Sequence, residues 1–291
     1  MELQYTKHKN KEEWLKDRGM SIGGSEVTTI LGLNPYETPY ELWLRKTNKV
    51  PPLERNKFMI AGQYTEMAIA AWFNGETEHS VIKASEGDII YRHPEYSFLV
   101  ASPDRRVFLF GSQKQEDKAI YEAKSTGLKF DHDEIPMSWF LQPQYYAGIL
   151  GYNHIVINWY QRFQNDFYYK IYDFDQSIYD TIIEECVDFW NNHVIADVPP
   201  PERTASDTLK LFPESVTDKL IVATDEVEEV YQQAIKYQRE EKHNSTEKDK
   251  YIDKLKMIMK DNEKIVSMNL ETLCTWKSNV NGVRVFSLKE I

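Results

Sequence analysis

The sequence predicts an α/β protein in which helices flank a mixed central β-sheet. Strand-like segments alternate with helical ones between residues 25 and 196, and the central strands cluster as hairpins. A triple proline, Pro199-Pro200-Pro201, then interrupts the chain, and such runs form stiff connectors that no helix crosses. We therefore expect a core domain over residues 1–198 and an extension over residues 199–291.

Local signals justify the elements of the core domain in order. Residues 25–31 predict a short helix that Gly32 stops, and Thr38-Pro39 supplies an N-cap with proline at the first helical position for the next helix. Apolar residues at helical spacing predict further helices at 58–73, 136–150 and 176–196. Strand-like segments are residues 98–101, 107–110, 120–123, 154–160 and 167–172.

The extension predicts a helical pair followed by a hairpin. Residues 225–239 and 248–261 are rich in Glu and Lys and predict two helices. Residues 273–277 and 283–288 are strand-like, and the Asn-Gly pair between them is a hairpin signal. We expect this extension to pack on or beside the core.

Composition excludes several classes of protein. Lys and Arg number 35 against 46 Asp and Glu, so the net charge of −11 argues against a general basic coat, although a local basic channel stays open. The apolar runs are too short to span a membrane, and the N-terminus lacks a secretory signal. Two cysteines cannot supply a disulfide framework, a four-ligand metal site or an iron–sulfur cluster. We therefore expect a cytoplasmic protein without a membrane partner.

A set of carboxylates is the strongest candidate for chemistry, because phosphate-binding loops, nucleophile elbows and zinc motifs are missing. Asp104 follows a predicted strand, and Glu122 and Lys124 share one face of a later strand because side chains alternate. Two carboxylates and a nearby carbonyl suit Mg²⁺, and the lysine would orient or deprotonate a bound water. By itself the pattern fits a strand with a surface Glu–Lys pair better.

Other residues add context to this set. Glu66, on helix 58–73, would add a third carboxylate, or it is an ordinary exposed helix residue. Arg18 and Ser25 flank a Gly-Gly pair before a helix, where free N–H groups and a positive dipole end receive anions. An ordinary loop with Ser25 as N-cap explains the same residues equally well. Gln142 and Gln144 are helix-surface residues, or amides that donate to a phosphate or a base edge.

Together these segments resemble the YqaJ viral recombinase family, the phage alkaline exonucleases related to lambda exonuclease, within the PD-(D/E)xK nucleases. The most specific stretch is residues 22–43, from Ile22-Gly23-Gly24-Ser25-Glu26 to Leu42-Trp43. The family order then continues through Gly62, Glu66, Ser102-Pro103-Asp104, Glu122-Ala123-Lys124, Gln142-Pro143-Gln144 and Gly151. The resemblance covers about residues 10–195 and leaves residues 201–291 without a family motif.

The resemblance implies a restriction-endonuclease-like core and a set of roles. Asp104, Glu122 and the backbone carbonyl of Ala123 would bind Mg²⁺, with Mn²⁺ as a substitute and Glu66 at a second metal position. Lys124 would be the catalytic lysine. The residues that match DNA-binding positions, mainly those for the terminal 5′-phosphate, are Arg18, Ser25, Gln142 and Gln144.

The function implied by this resemblance is a Mg²⁺-dependent 5′→3′ double-strand DNA exonuclease of a phage or prophage recombination system. It would act in the bacterial host cytoplasm as a trimeric ring, and leave 3′ overhangs for a single-strand annealing protein. Two alternatives stay open: a restriction- or repair-type endonuclease with the same metal site, and a non-catalytic adaptor for DNA ends or annealing proteins.

Overall fold

The computed structural model describes residues 4–52, 56–83, 89–103, 105–112, 114–127, 134–239, 245–279 and 282–289. The chain divides into two compact units, residues 1–199 and 200–291. This division falls inside the triple proline.

The first unit has nine β-strands and six α-helices among its described residues. They are β1 (Gln4–Lys7), α1 (Lys11–Gly19), β2 (Ile22–Gly23), α2 (Gly24–Ile30), α3 (Pro39–Lys46), α4 (Lys57–Glu76), β3 (Ser80–Lys83), β4 (Ile89–Arg92), β5 (Leu99–Ala101), β6 (Arg105–Phe108), β7 (Lys118–Thr126), α5 (Met137–Leu150), β8 (His154–Gln161), β9 (Asp166–Asp173) and α6 (Gln176–Phe189). A π-helix, Trp190–Ile195, continues α6.

The main sheet of this unit is five-stranded, in the order β3-β6-β7-β8-β9. β7 and β8 are parallel, while the other neighbours are antiparallel. Parallel neighbours need a crossover connection, and α5 supplies it between β7 and β8. Helices α4 and α5 both pack on these two central strands. The predicted fold class, a mixed sheet flanked by helices, is confirmed.

A second sheet of the first unit joins strands from distant parts of the chain in the order β1-β4-β5-β2. Gln4 of β1 pairs with Arg92 of β4, and Ile22 of β2 pairs with Leu99 of β5. The sequence analysis missed β1, β2 and β4. These strands have two to four residues, so their periodicity is too brief to detect and only the distant partner defines them.

Several helix boundaries follow the predicted signals. Thr38 and Glu41 form a capping box that opens α3, with Pro39 in its first turn. Gly151 ends α5 in the left-handed region at φ 68°, which glycine adopts without strain. The predicted cap of α2 is wrong: Gly23 is the N-cap, and Ser25 lies within the first turn.

The predicted strands also need adjustment. The segment expected at residues 107–110 is β6, Arg105–Phe108, and a 3-10 helix begins at Leu109. The short strand expected at residues 120–123 is the nine-residue β7. This extension matters because it carries Lys124 inside the sheet.

The second unit contains more strands than the sequence predicts. Its elements are α7 (Ala205–Leu211), β10 (Val216–Val222), α8 (Asp225–Arg239), α9 (Ser245–Met259), β11 (Asn262–Val266), β12 (Thr272–Ser278) and β13 (Arg284–Leu288). The expected helical pair and hairpin strands are there, but the hairpin belongs to a four-stranded sheet, β10-β11-β12-β13. The expected hairpin signal includes Asn281, which lies outside the described residues, while the adjacent Gly282 has φ 74°.

The core of the second unit lies between α8, α9 and one face of this sheet. Its buried members include Tyr231, Leu255, Met259, Cys274 and Trp276. No helix in the described part of the chain is both long and apolar enough to cross a membrane.

Candidate functional site

The Glu122-Ala123-Lys124 segment of β7 lies on the middle strand of the main sheet. The described ladder between β6 and β7 ends at the Arg105–Tyr121 pair, directly before Glu122. On the other side, the ladder with β8 continues as far as Thr126. The segment therefore begins where the described part of one neighbouring strand ends.

Glu122 and Lys124 form a close ion pair on one face of this strand. Lys124 Nζ lies 2.7 Å from Glu122 Oε1, and the two side chains are 23% and 11% exposed. Tyr121 and Ala123 alternate onto the opposite face, where they pack with Phe73 of α4. The Glu122–Lys124 pair is therefore largely enclosed but keeps access to solvent through the lysine.

Helix α5 covers the face of the sheet that carries this ion pair. Lys124 is the register partner of Trp159 on β8, and register partners project to the same face. The ring of Trp159 lies 6.4 Å from that of Trp139, at the start of α5. The same helix carries Gln142, one turn further along.

Glu66, on α4, contacts the first residue of β6, Arg105. Its Oε1 accepts a hydrogen bond from Arg105 Nε at 3.0 Å. Burial raises the pKa of Tyr121 far above its ordinary value; Arg105 acts against this, while Glu66 and Glu122 raise it further. Both carboxylates therefore lie near Tyr121: Glu66 contacts Arg105, the register partner of Tyr121, and Glu122 is the next residue of β7.

Of the predicted metal ligands, the structure describes Glu66, Glu122 and Ala123. Asp104 lies outside the described residues, so its position beside Glu122 stays a prediction. In the described ranges, no three His, Cys, Asp or Glu side chains gather as a metal site. Glu66, Glu122 and the carbonyl of Ala123 nevertheless supply hard oxygen donors, which fit a Mg²⁺ ion that keeps several waters.

Arg18 lies against the pair Gly23-Gly24, which forms the N-cap and the first residue of α2. A Cβ atom at Gly23 would overlap the Arg18 guanidinium, so only glycine leaves room for it. Arg18 Nη2 donates to Ser25 Oγ at 3.3 Å, and Arg18 Nη1 donates to Glu26 Oε2 at 3.1 Å. The structure therefore brings Arg18 and Ser25 together, with Glu26 behind them.

Gln142 meets this corner from α5. A Cβ atom at Gly24 would lie 2.9 Å from Gln142 Cγ and 2.7 Å from the ring of Tyr146. The second turn glycine therefore lets α5 approach closely. Arg18, Ser25 and Gln142 converge around the glycine pair, although they are far apart in sequence.

Gln144 does not join them, which corrects its proposed contact with DNA. Its side chain is fully buried. Its amide nitrogen donates to the carbonyl of Asp173 at 2.9 Å, and its amide oxygen accepts from the backbone N–H of Asp175 at 2.9 Å. Both ends of the amide thus hold the turn between β9 and α6, and no surface is left for DNA.

A cluster of charges around Glu26 lies behind the corner. The Glu26 carboxylate contacts Arg45 Nη1 and Lys46 Nζ, each at 2.9 Å, in addition to Arg18. It also accepts from the backbone N–H of Gly23, the N-cap of α2, at 3.0 Å. Arg45 in turn pairs with Glu37 through two nitrogens.

The pKa shifts in this cluster have clear causes. Burial alone would raise the pKa of Glu26, but Lys46, Arg18 and Arg45 lower it to about 2. Burial lowers the pKa of Lys46 to about 8, although Glu26 acts in the opposite direction. At neutral pH the carboxylate and the ammonium are therefore both charged, and the cluster is a network of ions.

The sequence analysis assigned no role to Glu26, Arg45 or Lys46. A local signal for Glu26 exists, since a Glu three residues after an N-cap accepts a hydrogen bond from the N–H of that cap, which is half of the capping-box pattern. Arg45 and Lys46 end α3, and nothing nearby in sequence indicates that they face Glu26.

Comparison with known proteins finds similarity to one family over part of the first unit. Residues 13–153 match the YqaJ-like viral recombinase domain. Over 202 residues the chain is 34% identical to the uncharacterized protein YqaJ of Bacillus subtilis (strain 168), covering 66% of this chain and 59% of that protein. The chain therefore spans less than two thirds of this relative's length.

Two solved structures are also similar. One is LHK-Exo, an alkaline exonuclease from Laribacter hongkongensis in complex with dAMP, with a TM-score of 0.49 and 17% identity over 65% of this chain and 94% of that chain. The other is a phage-related exonuclease from Haemophilus somnus 129PT, with a TM-score of 0.43 and 12% identity over 62% and 96%. The stretch that is similar to the YqaJ-like viral recombinase domain, residues 13–153, includes Arg18, Ser25, Glu66, Glu122, Lys124 and Gln142.

Proposed function

We propose that this protein is a Mg²⁺-dependent 5′→3′ exonuclease acting on double-stranded DNA in a phage or prophage recombination system. The observation that carries the proposal is the Glu122–Lys124 pair at 2.7 Å, which α5 connects to the corner of Arg18, Ser25 and Gln142. The first feature suits phosphodiester hydrolysis, and the second suits a terminal phosphate.

Asp104, Glu122 and the carbonyl of Ala123 would hold the Mg²⁺, with Glu66 at a second position. When bound, the metal supplies Lewis-acid stabilisation of the negative charge on the attacked phosphate. The ion pair of Glu66 with Arg105 would then have to open or adjust.

Lys124 would orient the attacking water and stabilise the negative charge at the phosphate. In hydrolysis, a water oxygen forms a bond to phosphorus and the P–O3′ bond breaks. Lys124 Nζ, oriented by Glu122, would hydrogen-bond the attacking water and offset charge at the phosphate. The departing 3′ oxygen takes up a proton, and the shortened strand keeps a new 5′-phosphate.

The glycine corner would give the reaction its polarity. Arg18, Ser25 and Gln142 supply a guanidinium, a hydroxyl and an amide, which are donors that match phosphate oxygens. Each cleavage creates another 5′-phosphate, so the same corner would receive the new end after every step.

The products suggest the partners. Digestion from both 5′ ends leaves 3′ single strands, which are the substrate of a single-strand annealing protein in the host cytoplasm. A ring of three copies would keep the enzyme on DNA by topology despite the net charge of −11. Light scattering of the purified protein should give three times the monomer mass.

Strand-labelled linear duplex with 5′-phosphates tests the activity. With Mg²⁺, we expect release of nucleotides from the 5′-labelled strand end first, and loss of activity in Asp104→Ala and Lys124→Ala. Lys118→Ala is the matched control, since it changes a lysine of the same strand that contacts Gln115 instead of Glu122. Equal activity in all variants would remove the site, and rapid cutting of closed circular DNA would favour the endonuclease alternative.

A further inference from the structure

We propose that Glu26 is a positioning residue for end recognition: through its ion pairs it fixes the Arg18 guanidinium that reads the 5′-phosphate. This inference rests on the proposed function. It deepens that function by adding a determinant behind the corner, in a residue that would not itself touch the DNA.

The first observation behind this proposal is that contacts with Glu26 and Ser25 orient the Arg18 guanidinium. A guanidinium has five N–H donors, and Arg18 directs one nitrogen to Glu26 and another to Ser25. These contacts orient the planar group over Gly23 and leave further N–H donors for an anion. Without Glu26, the long arginine side chain would sample many rotamers before each encounter with a DNA end.

The second step is that Glu26 is itself fixed. It is 6% exposed, and it is held by Arg45, Lys46 and the backbone N–H of Gly23. The Lys46 ammonium also donates to the carbonyl oxygens of Arg18, Gly19 and Ser21, which ties the end of α1 to the same cluster. A carboxylate anchored from two elements, α3 and β2, is a rigid support for the arginine.

The charges supply the third step. Three cations, Arg18, Arg45 and Lys46, face two carboxylates, Glu26 and Glu37. The cluster therefore keeps an excess positive charge, and Arg18 is the cation that also contacts exposed Ser25. The support thus orients the arginine without neutralising the corner as a whole.

Equilibrium binding of short duplexes, with EDTA present so that no hydrolysis occurs, tests this proposal. The measured quantity is the ratio of dissociation constants for 5′-hydroxyl and 5′-phosphate ends. We expect Arg18→Ala to bring the ratio close to one and Glu26→Gln to lower it about fivefold or more, since a charge-assisted orienting contact is lost. Glu26→Asp keeps the charge and should retain more of the preference than Glu26→Gln.

Glu37→Gln is the matched control. Glu37 belongs to the same cluster and pairs with Arg45, but Arg18 makes its ion pair with Glu26. Its ratio should stay within about twofold of the wild type, because Glu37 acts on Arg45 while the ion pair between Arg18 and Glu26 is kept. If Glu26→Gln does not fold at the assay temperature, Glu26→Gln/Lys46→Met removes one cation with the carboxylate charge and carries the same expectation.

The outcomes separate the two proposals. A wild-type ratio near one, or an Arg18→Ala variant that keeps the preference, would overturn the phosphate corner of the proposed function. If the wild type prefers 5′-phosphate ends and a Glu26 variant prefers them equally, only the proposed role of Glu26 is overturned.

Discussion

Glu26 and Glu122 are both buried carboxylates paired with a lysine in the first unit, yet their surroundings differ. Glu26 contacts three cations and lies behind the glycine corner. Glu122 pairs with the partly exposed Lys124 beside the start of β6. The first arrangement holds other residues in place, whereas the second leaves a carboxylate near solvent that a hard cation can approach.

The largest expected effect comes from breaking the second arrangement. Glu122→Gln should lower nuclease kcat by about 10²–10⁴-fold, because a metal ligand and the partner of Lys124 are lost together. Calorimetric titration with Mn²⁺ alone should show binding to the wild type and none to this variant. Glu26→Gln should bind Mn²⁺ as the wild type does, and equal loss in both variants would show that the two clusters do not act separately.

Breaking the Glu26 cluster should instead have the larger effect on the free energy of unfolding. Glu26→Leu leaves three cations without their shared carboxylate, and breaking a buried ion pair in this way costs about 3–5 kcal/mol. Urea unfolding followed by circular dichroism measures the loss. Lys124→Ala should cost about 1–3 kcal/mol by the same measurement, because it removes one partner of one carboxylate, whereas Glu26→Leu removes three ion pairs. Similar losses in both would contradict the distinction.

Acid should weaken the first arrangement in a defined range. The pKa of Glu26 falls from 4.5 to about 2 on folding, so its carboxylate contributes stability above pH 4.5 that is lost as the pH drops toward 2. A shift of this size corresponds to about 3 kcal/mol. The unfolding free energy of wild type should therefore fall more steeply over this range than that of Glu26→Gln, and parallel profiles would argue against the depressed pKa.

The smallest effects should distinguish the two glutamines of α5. Gln144→Ala removes the two hydrogen bonds that hold the turn between β9 and α6, and should cost about 1–3 kcal/mol of stability without changing the preference for phosphorylated ends. Gln142→Ala should reduce that preference with a stability change within about 0.5–1 kcal/mol, since its side chain is half-buried. The reverse pattern would exchange their roles.

Most long elements of the first unit could be predicted because their signals are local. The capping box at Thr38 and Glu41 and the glycine after Leu150 define α3 and α5 through residues a few positions apart. In the second unit, β10 pairs in parallel with β11 across two intervening helices. No local pattern indicates such a partner. The sequence predicts that the helix before β11 extends to residue 261, but α9 ends at Met259.

The features of the candidate site also divide into those set by local sequence and those set by tertiary packing. The amino-acid order by itself determined that Glu122 and Lys124 share a face, because side chains alternate along any strand. It also determined that a Gly-Gly turn precedes a helix, which is a local preference of the chain. Only the tertiary structure decided that Gln142 faces this turn while Gln144 holds another, and that Arg45 and Lys46 meet Glu26. These contacts depend on how helices pack, and packing is settled by the whole core.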